Sequence, residues 1–289
     1  MGRLVDIGGT RLYVDERGAP DAFPLLVFHG GPGLDHHEFG DYLDPLSADG
    51  HYRLVLVDER AQGESDRSAP PQTWTLEQMA DDVSALADAL GVAGSYATLG
   101  HSYGSFVTLV HAVAHAGEPR GTIVCGGVAR TKWLEGVEHQ LASFEPVELR
   151  EQVAQSWARE TEVTTEAEVE QLMVEQLPFH FKQPTGPVID DYVRRSAGGR
   201  YAPEVLRHFA AQDYGGIDVL DRLGDVTHPV LVLSGRYDRV CPAEAGAEMA
   251  GALPDAELVV FEQSAHMPFA EEPERFLAVV RGFLDRISD

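Results

Sequence analysis

A serine stands between two glycines in the pentapeptide 100–104, which reads Gly-His-Ser-Tyr-Gly. Ser102 follows a strand-like apolar run at 95–99 and precedes a helix-like run at 105–116. A sharp turn from strand to helix strains the serine backbone, exposes its hydroxyl in a cleft and requires glycine two positions before and after it. The chemistry that this arrangement serves is attack of a hydroxyl on an acyl carbon. The alternative is that Ser102 is an ordinary helix cap.

A carboxylate is needed to hold the histidine that activates such a serine, and Asp238 is the predicted residue. It follows a strand-like run at 230–234 and comes after the serine in the chain, as the order Ser, acid, His requires. Asp221 and Asp225 are nearby rivals. Because they precede this strand, we expect them at its opposite end.

His266 is the predicted general base, since it follows the last strand-like run at 257–261. The chain has 12 histidines, so we choose the base by its position relative to the predicted strands. Three others lie on the nucleophile turn or on the helix that follows it: His101, His111 and His115.

A glycine-rich loop at 29–33, His-Gly-Gly-Pro-Gly, follows the strand-like run 24–28. Consecutive glycines let the backbone approach a bound carbonyl and direct an N–H group at the negative charge that develops on its oxygen. We predict Gly31 N–H as one oxyanion donor, with Gly30 as the alternative and as a substrate-binding residue. The second predicted donor is Tyr103 N–H, at the start of a helix where the dipole favours negative charge.

Strand-like runs alternate with helix-like runs through most of the chain, which predicts an α/β fold with a mostly parallel, eight-stranded sheet flanked by helices. Gly8 and Gly9 predict an opening hairpin between the runs 2–6 and 11–15. A helix is predicted over 75–90, with Gly91 ending it. Further strand-like runs follow at 53–57 and 121–125.

Between about 130 and 226 the strand-like runs disappear, and polar helical stretches rich in Glu and Gln take their place. We therefore predict a core domain formed by 1–129 and 227–289, with a helical cap at 130–226 inserted into it. The alternative is that these helices merely cover one face of the sheet.

The formal net charge is -25. It would repel nucleic-acid phosphates and anionic lipid, so we expect neither as a partner. Neither Cys125 nor Cys241 belongs to a cluster with metal-ligand spacing, and we expect inert thiols and no metal. No signal-like start and no long apolar run occur, which favours the cytoplasm. Oligomeric state is left open.

With these residues located, the chain resembles the α/β-hydrolase superfamily along nearly its whole length, and the HGGPG loop makes it most similar to the proline iminopeptidase family. A second family segment, DQRGxGxS, corresponds to residues 58–65. It matches at Asp58, Arg60, Gly63 and Ser65, and it departs at Glu59 and Ala61. The family's GGSWG turn is also altered, with His101 and Tyr103 in place of Gly and Trp.

The resemblance implies a serine hydrolase that uses an acyl-enzyme intermediate, needs no cofactor and releases the amino-terminal residue of a small or short peptide substrate. It also implies a cap glutamate that binds the substrate's ammonium group, for which Glu204 is a candidate. Two alternatives stay open: an esterase or lactonase with the same chemistry, and a ligand-binding protein that kept the fold without turnover.

Overall fold

The computed structural model describes residues 2–288, and its centre is one eight-stranded sheet. The strands lie in the order β1-β2-β4-β3-β5-β6-β7-β8. The pairs β1–β2 and β2–β4 are antiparallel, and every other pair is parallel. The strands are β1 Arg3–Asp6, β2 Arg11–Arg17, β3 Phe23–Phe28, β4 Tyr52–Asp58, β5 Ala97–His101, β6 Gly121–Cys125, β7 Val230–Gly235 and β8 Ala256–Phe261.

The predicted fold class is confirmed, and the buried strands explain why the sequence pattern carried it. All residues of β5, β6 and β7 are buried, because helices cover both faces of the parallel part of the sheet. Such strands are continuous apolar runs, which are easy to find in a sequence. The opening hairpin is also present, with Gly8 at a φ of 85° between β1 and β2.

The described chain contains ten α-helices. They are α1 Leu76–Leu90, α2 Tyr103–Ala114, α3 Val137–Ala142, α4 Val147–Arg159, α5 Glu166–His180, α6 Pro187–Arg195, α7 Pro203–Ala210, α8 Ala243–Ala252, α9 Pro268–Glu271 and α10 Pro273–Ile287. Helix α1 begins where the Thr75 side chain accepts from Gln78 N–H, and it ends at Gly91 in the left-handed region. Within residues 2–288, no helix is both long and apolar enough to cross a bilayer.

Helices α3 to α7 all lie between β6 and β7 in the chain, and residues 131–225 are called the helical segment below. The chain where it begins pairs with the chain shortly before its end through two backbone hydrogen bonds, from Thr131 N–H to Ile217 O and from Val219 N–H to Ala129 O, both 2.9 Å long. An insertion whose ends close in this way leaves the sheet order intact. The division into a core domain and a cap domain stays a prediction.

Candidate active site

The turn at Ser102 has the strained geometry that its sequence predicts. Ser102 has φ 51° and ψ −118°, a region that L-residues rarely occupy. A Cβ atom at Gly100 would lie 2.2 Å from Gly104 O, and one at Gly104 would lie 2.4 Å from Phe28 O, so both glycines are required. Although Ser102 precedes α2, its side chain makes no capping hydrogen bond, so the ordinary helix cap is not what the structure contains.

Asp238 and His266 are brought together by a hydrogen bond of 2.7 Å between Oδ2 and Nδ1. The other carboxylate oxygen accepts from Val240 and Cys241 N–H, each at 2.9 Å. Burial alone would raise the pKa of Asp238, but His266 and these two N–H donors outweigh it and lower the pKa. Asp238 is therefore held as an anion beside one side of the imidazole ring.

The loop that carries His266 is fixed from both sides. Its backbone N–H donates to His180 O at 2.9 Å, which links it to the end of α5. A Cβ at Gly126 would lie 3.2 Å from the His266 ring, so the chain after β6 also packs closely against it. Ser102 and His266 line the same cavity. Among residues 2–288, no hydrogen bond joins the Ser102 hydroxyl to His266.

In the glycine loop, Gly30 and Gly31, the two alternatives for one oxyanion donor, have different surroundings. Gly30 N–H donates to Glu38 Oε2 at 2.6 Å and is therefore committed within the protein. Gly31 and Tyr103 line the cavity, whereas Gly30 does not. Gly30 N–H is therefore not free for a substrate oxygen, whereas Gly31 lies at the cavity, where its predicted role as an oxyanion donor requires it to be.

Two contacts hold the end of this loop. Gly33 N–H donates to Gln62 Oε1 at 2.5 Å, and Gly33 O accepts from Ala202 N–H at 2.8 Å. A Cβ at Gly33 would lie 2.9 Å from the Leu206 Cβ atom, so the start of α7 packs directly on the loop. The loop is therefore supported by the sheet side and by the helical segment.

The cavity in front of Ser102 has a volume of about 960 Å³. This is large enough for a substrate of drug size. Much of its wall comes from apolar side chains of the helical segment, including Leu134, Val137, Leu141, Trp157, Met173 and Leu177.

Glu160 is a buried carboxylate of this wall that the sequence reasoning missed. It is 3% exposed, and it accepts from Gln176 Nε2 at 2.7 Å and from the Tyr214 hydroxyl at 2.5 Å. Both partners are neutral, so burial dominates and raises the pKa of Glu160 to about 7. No sequence signal marks this residue, because its burial depends on how α4, α5 and the 213–215 turn pack together.

Glu38 and His101 form a second buried polar group that the sequence reasoning did not use. His101 Nδ1 lies 2.9 Å from Glu38 Oε1, and His101 Nε2 lies 2.9 Å from the carbonyl oxygen of His266. Both side chains are almost fully buried. They therefore connect the glycine loop, the nucleophile turn and the His266 loop.

In the described part of the chain, one group of residues has donor atoms close enough to suggest a metal site: Asp35, His36 and His37, with ligand atoms within 4.8 Å of one another. His36 Nδ1 is hydrogen-bonded to Asp58 at 2.7 Å. The Asp35 carboxylate accepts from both His37 N–H and Arg200 N–H. These contacts already give the group a structural use, and the chemistry proposed below does not pass through it.

Comparison with known proteins agrees with the fold. The profile of the α/β hydrolase fold family matches residues 24–273. The chain belongs to this family. A proline iminopeptidase of Heyndrickxia coagulans is 26% identical over 294 residues, which cover 98% of this chain and 98% of that protein.

Solved structures give the same result for this α/β hydrolase. The proline iminopeptidase of Mycobacterium smegmatis superimposes with a TM-score of 0.77 at 26% identity, covering 100% of this chain and 99% of that one. A thermophilic esterase from Thermogutta terrifontis has a TM-score of 0.75 at 24% identity, covering 100% of both chains, and at this identity the likeness shows the fold alone. The chain is a hydrolase, similar in sequence to proline iminopeptidases.

Three acidic residues considered from the sequence lie elsewhere. Glu204 is at the start of α7, 3.9 Å from Arg67, with its side chain 46% exposed, and it is not among the cavity-lining residues. It was selected by its distance in the chain from Asp238, which does not determine the face of a short helix. Asp221 and Asp225 are exposed and face Arg130 and Arg222, so neither competes with Asp238.

Proposed function

We propose that Ser102, His266 and Asp238 form the catalytic triad of a serine hydrolase. The observation that carries the proposal is the buried Asp238–His266 hydrogen bond at the cavity that Ser102 also lines. The carboxylate fixes the tautomer in which His266 Nδ1 carries the proton, leaving Nε2 free to accept one. The proposed mechanism requires the Ser102 hydroxyl to reach Nε2 when substrate binds, and catalytic hydrogen bonds often tighten only in such a complex.

The reaction proceeds in two acyl-transfer steps. His266 Nε2 takes the hydroxyl proton as Ser102 Oγ bonds to the carbonyl carbon, and the N–H groups of Gly31 and Tyr103 stabilise the oxyanion. The imidazolium then gives this proton to the departing amine or alcohol, leaving an acyl-enzyme. Water, deprotonated by His266, attacks the acyl carbon and releases the acid, and Ser102 regains its proton.

The substrate that fits best carries a free amino group close to the bond that is cleaved, as in an aminopeptidase of the proline iminopeptidase type. Glu160 supports this choice, because it is a buried carboxylate at the cavity whose hydrogen-bond partners are neutral. A substrate ammonium would supply the missing positive charge and would stabilise the ionised form of Glu160. The apolar wall beside it suits an apolar or proline side chain.

A second candidate is an esterase that acts on short acyl esters. The apolar lining of the cavity favours it, since an acyl chain needs no charged partner. The two candidates share all the chemistry at Ser102 and differ only in whether the amino group contributes to binding.

Two measurements test the proposal. A fluorophosphonate probe should label wild-type protein at Ser102 and should not label Ser102→Ala, whereas Ser84→Ala serves as a control serine on α1. A panel of proline and alanine amides, with free and with acetylated amino groups, is then compared with short acyl esters. Preference for the free amines supports the aminopeptidase, turnover of esters with no requirement for a free amino group supports the esterase, and absence of labelling contradicts both.

A further inference from the structure

We infer that His101 and Glu38 form a buried imidazolium–carboxylate pair that positions the glycine loop and the His266 loop around Ser102. The inference rests on the proposed function in one respect, namely that these loops carry the oxyanion donor and the general base. The charge of the pair does not depend on that function. Neither residue belongs to the proposed triad.

The two ring nitrogens of His101 both face acceptors. Nδ1 lies 2.9 Å from a Glu38 carboxyl oxygen, and Nε2 lies 2.9 Å from the backbone carbonyl of His266. A carbonyl oxygen only accepts, so Nε2 must carry a proton. A neutral ring has a single N–H group, and Nδ1 would then need a proton from Glu38. A doubly protonated ring satisfies both contacts with an ionised carboxylate.

The surroundings of Glu38 favour the ionised form. Its second oxygen accepts from Gly30 N–H at 2.6 Å, the short distance typical of a charge-assisted hydrogen bond. Burial alone would raise the pKa of Glu38, but the His101 ring and the Gly30 N–H lower it. Burial alone would likewise lower the pKa of His101, but Glu38, the His266 carbonyl and Asp238 together raise it.

Other titratable groups surround the pair. On the side of Glu38, His29 also lowers the pKa of Glu38, and Glu59 lies near His29 with a pKa that burial raises to about 7. The His266 ring lies 4.9 Å from the His101 ring, centroid to centroid, and Asp238 is bonded to its far side. His180 lies beyond His266, and burial together with the neighbouring imidazoles lowers its pKa to about 3, so it stays neutral. Phe39 and Phe269 pack edge-on against the His101 ring, 6.4 and 5.1 Å between centroids, and His101 is 1% exposed, so the ring is shielded from water.

The pair also explains why residue 30 is glycine. A Cβ there would lie 2.7 Å from Glu38 Oε1, 3.2 Å from His101 Nδ1 and 3.2 Å from Ser102 Cβ. The glycine loop therefore lies directly on the charged pair and on the serine. Through the pair, Gly30 N–H and the His266 carbonyl are held at fixed positions relative to Ser102. Small displacements of such groups reduce turnover strongly, because reacting atoms must meet within a narrow geometry.

The charge of the pair is tested by NMR on the uniformly ¹⁵N-labelled full chain. We expect both His101 ring nitrogens to show the chemical shifts of protonated imidazolium at pH 7 and to keep them to higher pH than ordinary histidines. The signal is assigned by its loss in His101→Gln, or, if this variant does not fold, by its nuclear Overhauser contacts with the Phe269 ring. His228, whose pKa burial lowers to about 4, is the neutral reference. A singly protonated His101 at pH 7 overturns the inference.

The positioning role is tested with Glu38→Gln, His101→Gln and the double variant, using the best substrate of the panel above. We expect kcat to fall by roughly 10- to 100-fold in each, with KM changed by less than about threefold. Glu38→Asp should recover part of the loss. The double variant should melt at a higher temperature than the less stable single variant, because a lone buried charge is worse than none, while its kcat stays low. His228→Gln, a buried histidine remote from Ser102, is the matched control.

Wild-type kcat in Glu38→Gln would overturn the positioning role. Failure of the proposed function gives a different result, in which wild-type protein turns over no substrate and the probe does not label Ser102. The ring-nitrogen spectrum of His101 still decides the charge of the pair in that case.

Discussion

Two buried carboxylates at the same cavity, Glu38 on the sheet side and Glu160 in the helical segment, are balanced in different ways. Glu38 faces the His101 ring, whereas within residues 2–288 the hydrogen bonds that Glu160 accepts come from the neutral groups of Gln176 and Tyr214. Burial of an uncompensated carboxylate destabilises its ionised form, which a partner cation relieves. We therefore propose that the charge of Glu38 is compensated within the protein by His101, and that the charge of an ionised Glu160 would be compensated by the ammonium group of a substrate.

Asp238→Asn should have the largest effect of the substitutions considered. It removes a carboxylate charge on the sheet side of the cavity. Loss of the carboxylate charge removes the partner that fixes the His266 tautomer, so we expect kcat to fall by about 10⁴-fold. Steady-state kinetics on the best substrate measures this, with circular dichroism to verify folding. Asp221→Asn, an exposed change, should leave kcat unaltered. A loss of less than about tenfold in Asp238→Asn would argue against the triad.

Glu160→Gln removes a carboxylate charge from the helical segment, and it should weaken the binding of substrates with a free amino group. A charged hydrogen bond contributes about 1.5–3 kcal/mol, so KM for free-amine substrates should rise by roughly 10- to 100-fold. Acetylated substrates and esters should show little change, since they carry no ammonium. Glu204→Gln is the matched control outside the cavity. An equal effect of Glu160→Gln on both substrate classes would remove the ammonium site.

The same Glu160→Gln variant should be more stable than wild type in the absence of substrate, and increasingly so as pH rises. Burial raises the folded-state pKa of Glu160 from 4.5 to about 7. Folding therefore favours the protonated form, and wild-type stability falls as pH rises from about 4.5 through 7. We expect a gain of about 1–3 kcal/mol in the free energy of unfolding at pH 8 and almost none at pH 4.5. Denaturant unfolding at both pH values measures it, and a gain independent of pH would contradict the assignment.

Substitutions at helix caps should have the smallest effects. One cap from each region allows the stability of the two regions to be compared away from the cavity. Thr75 caps α1 on the sheet side, and Thr165 forms a capping box with Glu168 at the start of α5. Replacing either threonine by alanine should cost about 1 kcal/mol of stability. Activity should remain at the wild-type level in both. If only Thr165→Ala impaired turnover, the position of α5 would have to matter for catalysis.

The sequence predicted the sheet well because its information is local. Each buried parallel strand is a continuous apolar run, and the glycines around Ser102 are required by contacts within the turn and with one neighbouring strand. Strand order alone was enough to select Gly31 and His266, and both residues line the cavity, although their roles stay a prediction. Glu38, Glu160 and His101 could not be assigned roles, since their partners are distant in the chain. Glu204 was chosen by its spacing from Asp238 and lies outside the cavity, because spacing in the chain does not predict which way a side chain on a short helix faces.

The hydrogen bond from Ala202 N–H to the Gly33 carbonyl, with Leu206 packed on the same glycine, has a consequence for protein engineering. Grafting a foreign helical segment onto this sheet would remove this support of the glycine loop together with the old pocket. Libraries aimed at specificity should therefore vary cavity-facing side chains of α4 and α5. The first turn of α7 should be kept together with the sheet, although it lies in the helical segment.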